Sequence, residues 1–327
     1  MKLFASKLLG LVLLASLAGF QFAEAQEARS DKGAKPVLPK QTGEDYLKAG
    51  QYDKAYDNYI AGNYKTAFLE ALKRGEEGDA TAQTLLGRMY MEGYAVAIDG
   101  ARAALWFGRA AKQGDPQAEL RYGLLLFNGT YVPKDPSMGE DYIKRAVDAG
   151  VPEAYFYYGQ LLLNKSESDD ALETSLGYFL KGASLGDPDS AFAASQILAR
   201  GTPKRPRDDN NARKLLEAAS AKDHVPAQIT LAKWIVEGRG GPQDYEGAFN
   251  LLLMDASKMI APAQINLARL YRDGIGTEGD IVKAAAWYMV AKQAKMEAPD
   301  LETMLEGMSD EQLATARQKA EQLMPTL

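Results

Sequence analysis

The side chains that could do chemistry in this 327-residue chain are few, and they do not converge. His224 is the only histidine and cysteine is absent, which removes thiolate metal sites, disulfides and a cysteine nucleophile together. A Ser-His-Asp triad or an imidazole metal site would have to be built on His224 alone, and zinc-type sites need several such ligands. His224 stands before Val225-Pro226 in a turn between helical segments, where a surface role suffices. Asp208-Asp209-Asn210 sets three oxygen-bearing side chains in a row, without the alternating spacing and closing glutamate of a calcium loop. Gly238-Arg239-Gly240-Gly241 lies between helices, whereas a phosphate-binding loop follows a strand. Nothing pairs a nucleophile with a base, so the sequence predicts no catalytic residue, no cofactor and no metal.

Charge excludes another class. Lys and Arg number 38 against 44 Asp and Glu, a net of −6, which argues against a sequence-independent grip on nucleic acid. The first residues read as an export signal. Lys2 and Lys7 form a positive start, Leu8 to Phe20 is apolar, and Ala23-Glu24-Ala25 fits a small-x-small cleavage site before Gln26. The apolar run is shorter than the roughly 20 residues of a spanning helix, so no stable membrane anchor is expected after cleavage between Ala25 and Gln26. The location expected is periplasmic or secreted.

Self-similarity carries the rest. Leu86-Gly87 recurs 36 residues on as Tyr122-Gly123, then as Tyr158-Gly159 and Ala194-Ser195, and after a one-residue slip as Leu231-Ala232 and Leu267-Ala268. Four residues before each pair stands a small residue: Ala82, Ala118, Ala154, Ser190, Ala227 and Ala263. Six beyond it comes Gly93, Gly129, Gly201, Gly238 or Gly274, with Lys165 as the exception. A small residue and its partner four places on share a helical face, and the glycine stops the helix in the left-handed conformation. Gly114-Asp115-Pro116 and Gly186-Asp187-Pro188 read as C-terminal glycine, N-cap and N1 proline. Asp99, Asp135, Asp244 and Asp280 cap the second helices. Each unit is therefore a helix–turn–helix hairpin that cannot bury its apolar faces alone.

Ala82–Gly93 reads Ala-x3-Leu-Gly-x2-Tyr-x2-Gly, and Arg102-Ala103, Trp106, Ala110-Ala111 and Gly114 follow. This joint pattern resembles the Sel1-like repeat, a relative of the tetratricopeptide repeats. The resemblance implies an all-α fold, a right-handed α-solenoid of helix–turn–helix repeats. The expected organisation is a signal peptide over 1–25, a disordered leader over 26–43 and a tetratricopeptide-like capping hairpin over 44–78. Six repeats follow over 79–295, and a C-terminal capping helix over 296–327 opens at the capping box Ser309-Asp310-Glu311-Gln312. Units three and four are degenerate, with Asn164 to Asp170 a shortened loop and Lys214 in place of an aromatic. By resemblance, the function expected is an interaction adaptor, such as the periplasmic partners of sensor kinases that govern envelope or exopolysaccharide programmes. A cell-envelope scaffold is the alternative, and a β-lactam or peptidoglycan hydrolase a third.

If the units stack, first helices line one side, and positions six, nine and ten after the small residue point away from the core. This selects Arg88, Leu124, Phe127, Gln160, Leu163, Gln196, Arg200, Lys233 and Arg269 as a partner-binding groove for a protein or peptide, apolar in the middle and charged at the ends. Leu120, Phe156, Phe192, Ile229 and Ile265 at position two could serve there or pack between helices. The loop Thr202 to Asn210, basic and then acidic, is a second candidate contact. The oligomeric state is not readable.

Overall fold

The structure, a computed structural model, describes residues 53–166 and 168–324. The expected signal with its Ala25-Gln26 cleavage site, the leader and the start of the first hairpin lie outside the described residues. The chain divides into two compact units at Leu161 and Leu162. Unit 1 holds α1 (Lys54–Ile60), α2 (Tyr64–Glu76), α3 (Ala80–Glu92), α4 (Gly100–Lys112), α5 (Pro116–Asn128) and α6 (Pro136–Asp148). Helix α7 (Pro152–Lys165) carries the division. Unit 2 holds α8 (Asp169–Ser184), α9 (Pro188–Arg200), α10 (Asp209–Ser220), α11 (Val225–Glu237), α12 (Tyr245–Ser257), α13 (Ala261–Asp273), α14 (Ile281–Gln293), α15 (Pro299–Glu306) and α16 (Asp310–Leu323). Within each unit successive helices up to α14 pack against one another and α16 returns onto α14, so the fold is an α-solenoid of helical hairpins, the odd-numbered helices through α13 being the first members.

Caps set the helix length. Asp115 accepts from the Ala118 N–H at 2.9 Å and Asp135 from that of Met138 at 3.0 Å, satisfying donors that the helix itself leaves orphaned. Gly93 and Gly129 close α3 and α5, both at φ 76°. Between such stops the helices from α2 to α14 run thirteen residues, except α7, α8 and α10 at 14, 16 and 12. Those exceptions fall in the units whose repeat pattern is degenerate. At the far end Ser309 and Gln312 exchange both bonds of the capping box. Helix α15 is too short to show a period in sequence. It is held by Leu301 in the core and by Glu302, which accepts from the Tyr288 hydroxyl at 2.5 Å.

All six small residues, Ala82, Ala118, Ala154, Ser190, Ala227 and Ala263, are 0% exposed. Next to each of four of them a buried polar side chain recurs: Gln83, Glu119, Gln228 and Gln264. Gln83 donates to the Gly75 carbonyl at 2.9 Å and Gln264 to that of Ala256 at 3.2 Å, tying a first helix to the end of the preceding hairpin. Glu119 pairs instead with Arg145. A close backbone-to-backbone approach joins α5 to α6, where a Cβ on Gly139 would lie 2.7 Å from both the Gly123 carbonyl oxygen and the Phe127 nitrogen. Both neighbours are backbone and cannot turn aside. An alanine normally stabilises a helix by about 1 kcal/mol over glycine. Gly139→Ala should instead destabilise the chain by about 2 kcal/mol through overpacking, measured as a lower melting temperature; an unchanged or higher value would contradict this contact.

Candidate interaction surface

The three features that could have carried chemistry are parts of the framework in unit 2. His224 is the N-cap of α11: its Nδ1 accepts from the Ala227 N–H at 3.1 Å, the place that Asp79, Asp115 and Asp187 take on α3, α5 and α9. Its Nε2 lies 3.2 Å from Asp189 and its ring against Phe192. Asp208 caps α10 by accepting from the Asn211 N–H at 3.0 Å. Asp209 receives Arg207 and Arg239, the latter at 2.9 and 3.0 Å with its guanidinium 3.8 Å from the Trp234 ring centroid. These bonds, Arg207 first, bring the Asp209 carboxyl down to about 2. The glycine cluster serves the same corner: a Cβ on Gly240 would meet the Asp209 carbonyl oxygen at 2.2 Å, and its φ is 70°. The segment is a close backbone crossing, not a phosphate cradle.

The loop after α9 is likewise spent internally. Thr202 and Arg205 form a small bridge, Arg205 reaches Glu173 at 2.7 Å, Lys204 pairs with Asp170 and Arg207 with Asp209. Each basic group thus already has a carboxylate on its own chain.

The first-helix face of unit 1 differs. Arg88 on α3 donates through Nε to Glu92 at 3.1 Å, its guanidinium 5.7 Å from the Tyr59 ring centroid. Tyr59 on α1, almost wholly buried, donates its hydroxyl to the same Glu92 at 2.7 Å. Burial pushes that hydroxyl up, Arg88 opposes and Glu92 adds to the rise. Burial works against the charge of Arg88, and Glu92 with Tyr59 and Tyr56 more than offsets it. Arg121 on α5 reaches Glu153 on α7 at 2.6 Å, and that carboxylate holds the guanidinium firmly charged. The result is two half-buried ion pairs on first helices, Arg88 with Glu92 over the buried Tyr59 ring and Arg121 with Glu153. Helical-wheel reasoning finds Arg88 but misses Arg121 and Glu153. Position three lies at the edge of the core face, where a short side chain would be covered; a long arginine carries its head group out of it. The available signal is the 36-residue series Leu85, Arg121, Tyr157, in which an arginine replaces a core leucine.

The other sequence-selected residues fall as follows. In unit 1 Leu124 and Phe127 are half-buried and Gln160 is buried, its Oε1 without a hydrogen-bond partner. In unit 2 Leu163 and Gln196 are half-buried, while Arg200 and Lys233 are exposed. Arg269 is committed: it grips Asp300 of α15 through two nitrogens at 2.8 and 2.9 Å and Asn266 through the third. At position two, Leu120, Phe156 and Ile265 are core and Phe192 and Ile229 half-buried. Apart from Ile60 at the end of α1, the large apolar side chains most open to solvent in unit 1, such as Leu105 and Tyr131, lie outside the first helices.

The model of the Sel1 repeat matches residues 80–115, 116–151, 188–224, 225–254 and 261–288, together more than half of the chain. The chain belongs to the Sel1 repeat family. The matches pass over 152–187, the stretch of the longer helices α7 and α8. Two solved Sel1-type structures are similar. One is a protective antigen present in uropathogenic Escherichia coli strains, displaying an SLR fold, at 22% identity and a TM-score of 0.69 over 86% of this chain. The chain spans 63% of that antigen's length. The other is a Sel1 repeat protein from Oxalobacter formigenes, 23% identical with a TM-score of 0.61, covering 75% of this chain and 97% of that one. No curated relative matches. At these identities the likeness establishes the fold. Sel1 repeat proteins act as protein–protein interaction scaffolds, and among the described residues no helix is long and apolar enough to cross a membrane.

Two measurements check the framework roles. His224→Ala should lower stability by about 1 kcal/mol, whereas His224→Asp should restore the cap and most of the loss. Because the Asp209 carboxyl titrates lower in the folded chain than in the unfolded one, it stabilises above its unfolded value and loses that contribution as pH falls toward about 2. The melting-temperature gap between wild type and Asp209→Asn should therefore be widest near neutrality and close by about pH 2; a gap independent of pH would contradict the ion-paired corner.

Proposed function

We propose that this Sel1 protein is a non-catalytic adaptor that holds a protein or peptide partner against its first-helix face. The observation that carries the reading is the pair of half-buried, held arginines on first helices of unit 1, Arg88 on α3 and Arg121 on α5. Arginine is among the residue types enriched where binding energy concentrates. The caps and close helix contacts fix these side chains before a partner arrives, which lowers the ordering cost of binding.

The working place proposed is an exported one, periplasmic or extracellular, supported by Lys2, Lys7, the apolar run Leu8 to Phe20 and Ala23-Glu24-Ala25. An exported adaptor of this plan fits regulation of an envelope signalling or exopolysaccharide pathway, through the soluble domain of a membrane partner. The chain made in its cells should begin at Gln26, read by mass spectrometry of its N-terminal peptide; an intact Met1 would overturn the exported location. A photo-crosslinking residue placed at Leu124 should trap a partner protein in living cells, and one at the exposed Leu105 on α4 should not. Adducts at Leu105 alone would move the binding face to the second helices.

A further inference from the structure

The second helices of unit 1 present a face that the framework leaves unused. Helices α2 and α4 begin and end thirty-six residues apart, so Leu69 and Leu105 occupy one repeat position and Lys73 and Arg109 another. Steps of four residues set Lys65, Leu69 and Lys73 along one side of α2, and steps of four and three set Leu105, Arg109 and Lys112 along the same side of α4. All six are exposed, the two leucines at 58% and 52%. The helices lie side by side: a Cβ on Gly75 of α2 would come within 3.6 Å of the Trp106 ring of α4, and the Arg109 guanidinium lies 4.7 Å from that ring's centroid. Carboxylates are scarce here. Helix α4 has none, and of the two on α2, Glu70 pairs with Lys54 at 2.9 Å and Glu76 stands in the last turn. Among the described residues Lys65, Lys73, Arg109 and Lys112 form no ion pair.

Leucines flanked by unneutralised cations match an anionic bilayer surface, where headgroups meet the charges and apolar side chains enter the acyl boundary. A packed protein helix suits the face less well. This chain does lay one helix on a second helix, α16 on α14 in unit 2, and there the positions equivalent to Leu105 and Arg109 are Ala286 and Val290, both almost wholly buried. Short side chains let a neighbouring helix approach. Leucine and arginine hold one off, whereas a fluid headgroup layer closes around them. A nucleic acid would engage the cations and leave the leucines in water. The chain as a whole carries a net charge of −6, so attraction to an anionic surface has to come from this face.

We infer that the α2–α4 face of unit 1 rests on an anionic phospholipid surface, a reversible peripheral contact separate from the first-helix face. The test is co-sedimentation of the protein, as isolated from its cells, with vesicles of phosphatidylglycerol and phosphatidylcholine in equal parts and with vesicles of phosphatidylcholine alone. It should sediment with the first, be released as salt rises, and stay in solution with the second. The Lys73→Gln, Arg109→Gln double variant should bind about tenfold more weakly, and the Lys73→Arg, Arg109→Lys pair should bind as wild type does. The Leu69→Ser, Leu105→Ser variant changes no charge and should also bind more weakly, which a purely electrostatic contact would not show. The substituted side chains face solvent, so the melting temperature should be retained throughout. Equal sedimentation with both vesicles, sedimentation with neither, or Gln or Ser variants that bind as wild type overturn the inference. A photo-crosslinker at Leu105 that joins a protein and no lipid in living cells overturns it too, assigning the face to an acidic protein.

Discussion

The structure depends on how closely two helical backbones can approach. At six places, spaced by the repeat, the residue facing the neighbouring helix is alanine or serine with no exposed surface, and between α5 and α6 two glycines meet with no room for a methyl group. A hairpin built this way packs its own two helices closely but covers only one side of each. Its remaining apolar face must be covered by the next hairpin, so stability arises from neighbour contacts along the chain. Helix length follows from the same constraint. If contacts repeat every thirty-six residues, each helix must stop in register, and aspartate at one end with glycine at the other enforces thirteen residues. Where the pattern degenerates, over α7, α8 and α10, the lengths drift, yet the helices still form.

Charged side chains work chiefly in pairs. In unit 2 nearly every conspicuous one is a fastener. Asp209 gathers Arg207 and Arg239, Glu173 and Asp170 hold the 202–207 loop down, and Asp300 secures α15 through Arg269 and Arg272. Half-exposed pairs of this sort contribute little individually, but they fix loops and termini that the repeat core leaves uncovered. In unit 1 the first helices carry pairs of the same kind, Arg88 with Glu92 and Arg121 with Glu153, on half-buried side chains.

Much of the fold was legible. The small residues, the caps, the capping box at Ser309 and the stops at Gly93 and Gly129 are each a local steric or hydrogen-bonding need, so their residue types announce them. The candidate site was less legible. Arg88 was readable from helical geometry and Arg121 was not, because a wheel places a Cα and says nothing about how far a long side chain carries its charge. Arg269 and the basic loop looked available in sequence and are committed in space, since their partners Asp300, Asp170 and Glu173 lie some thirty residues away. The leucine and phenylalanine expected to form an open apolar strip, Leu124 and Phe127, are half-covered.

The sequence by itself determined the helical repeat, its register and its membership among Sel1 proteins, because periodic packing and capping are written in neighbours three, four and thirty-six residues apart. It also established the lack of thiol chemistry and the isolation of His224. What only the tertiary structure decided is which polar groups are already taken. His224 proved to be a cap, Gly240 a backbone crossing and Asp209 an ion-paired corner. Hydrogen-bond satisfaction is a property of contacts between helices distant in sequence, and no local period encodes it.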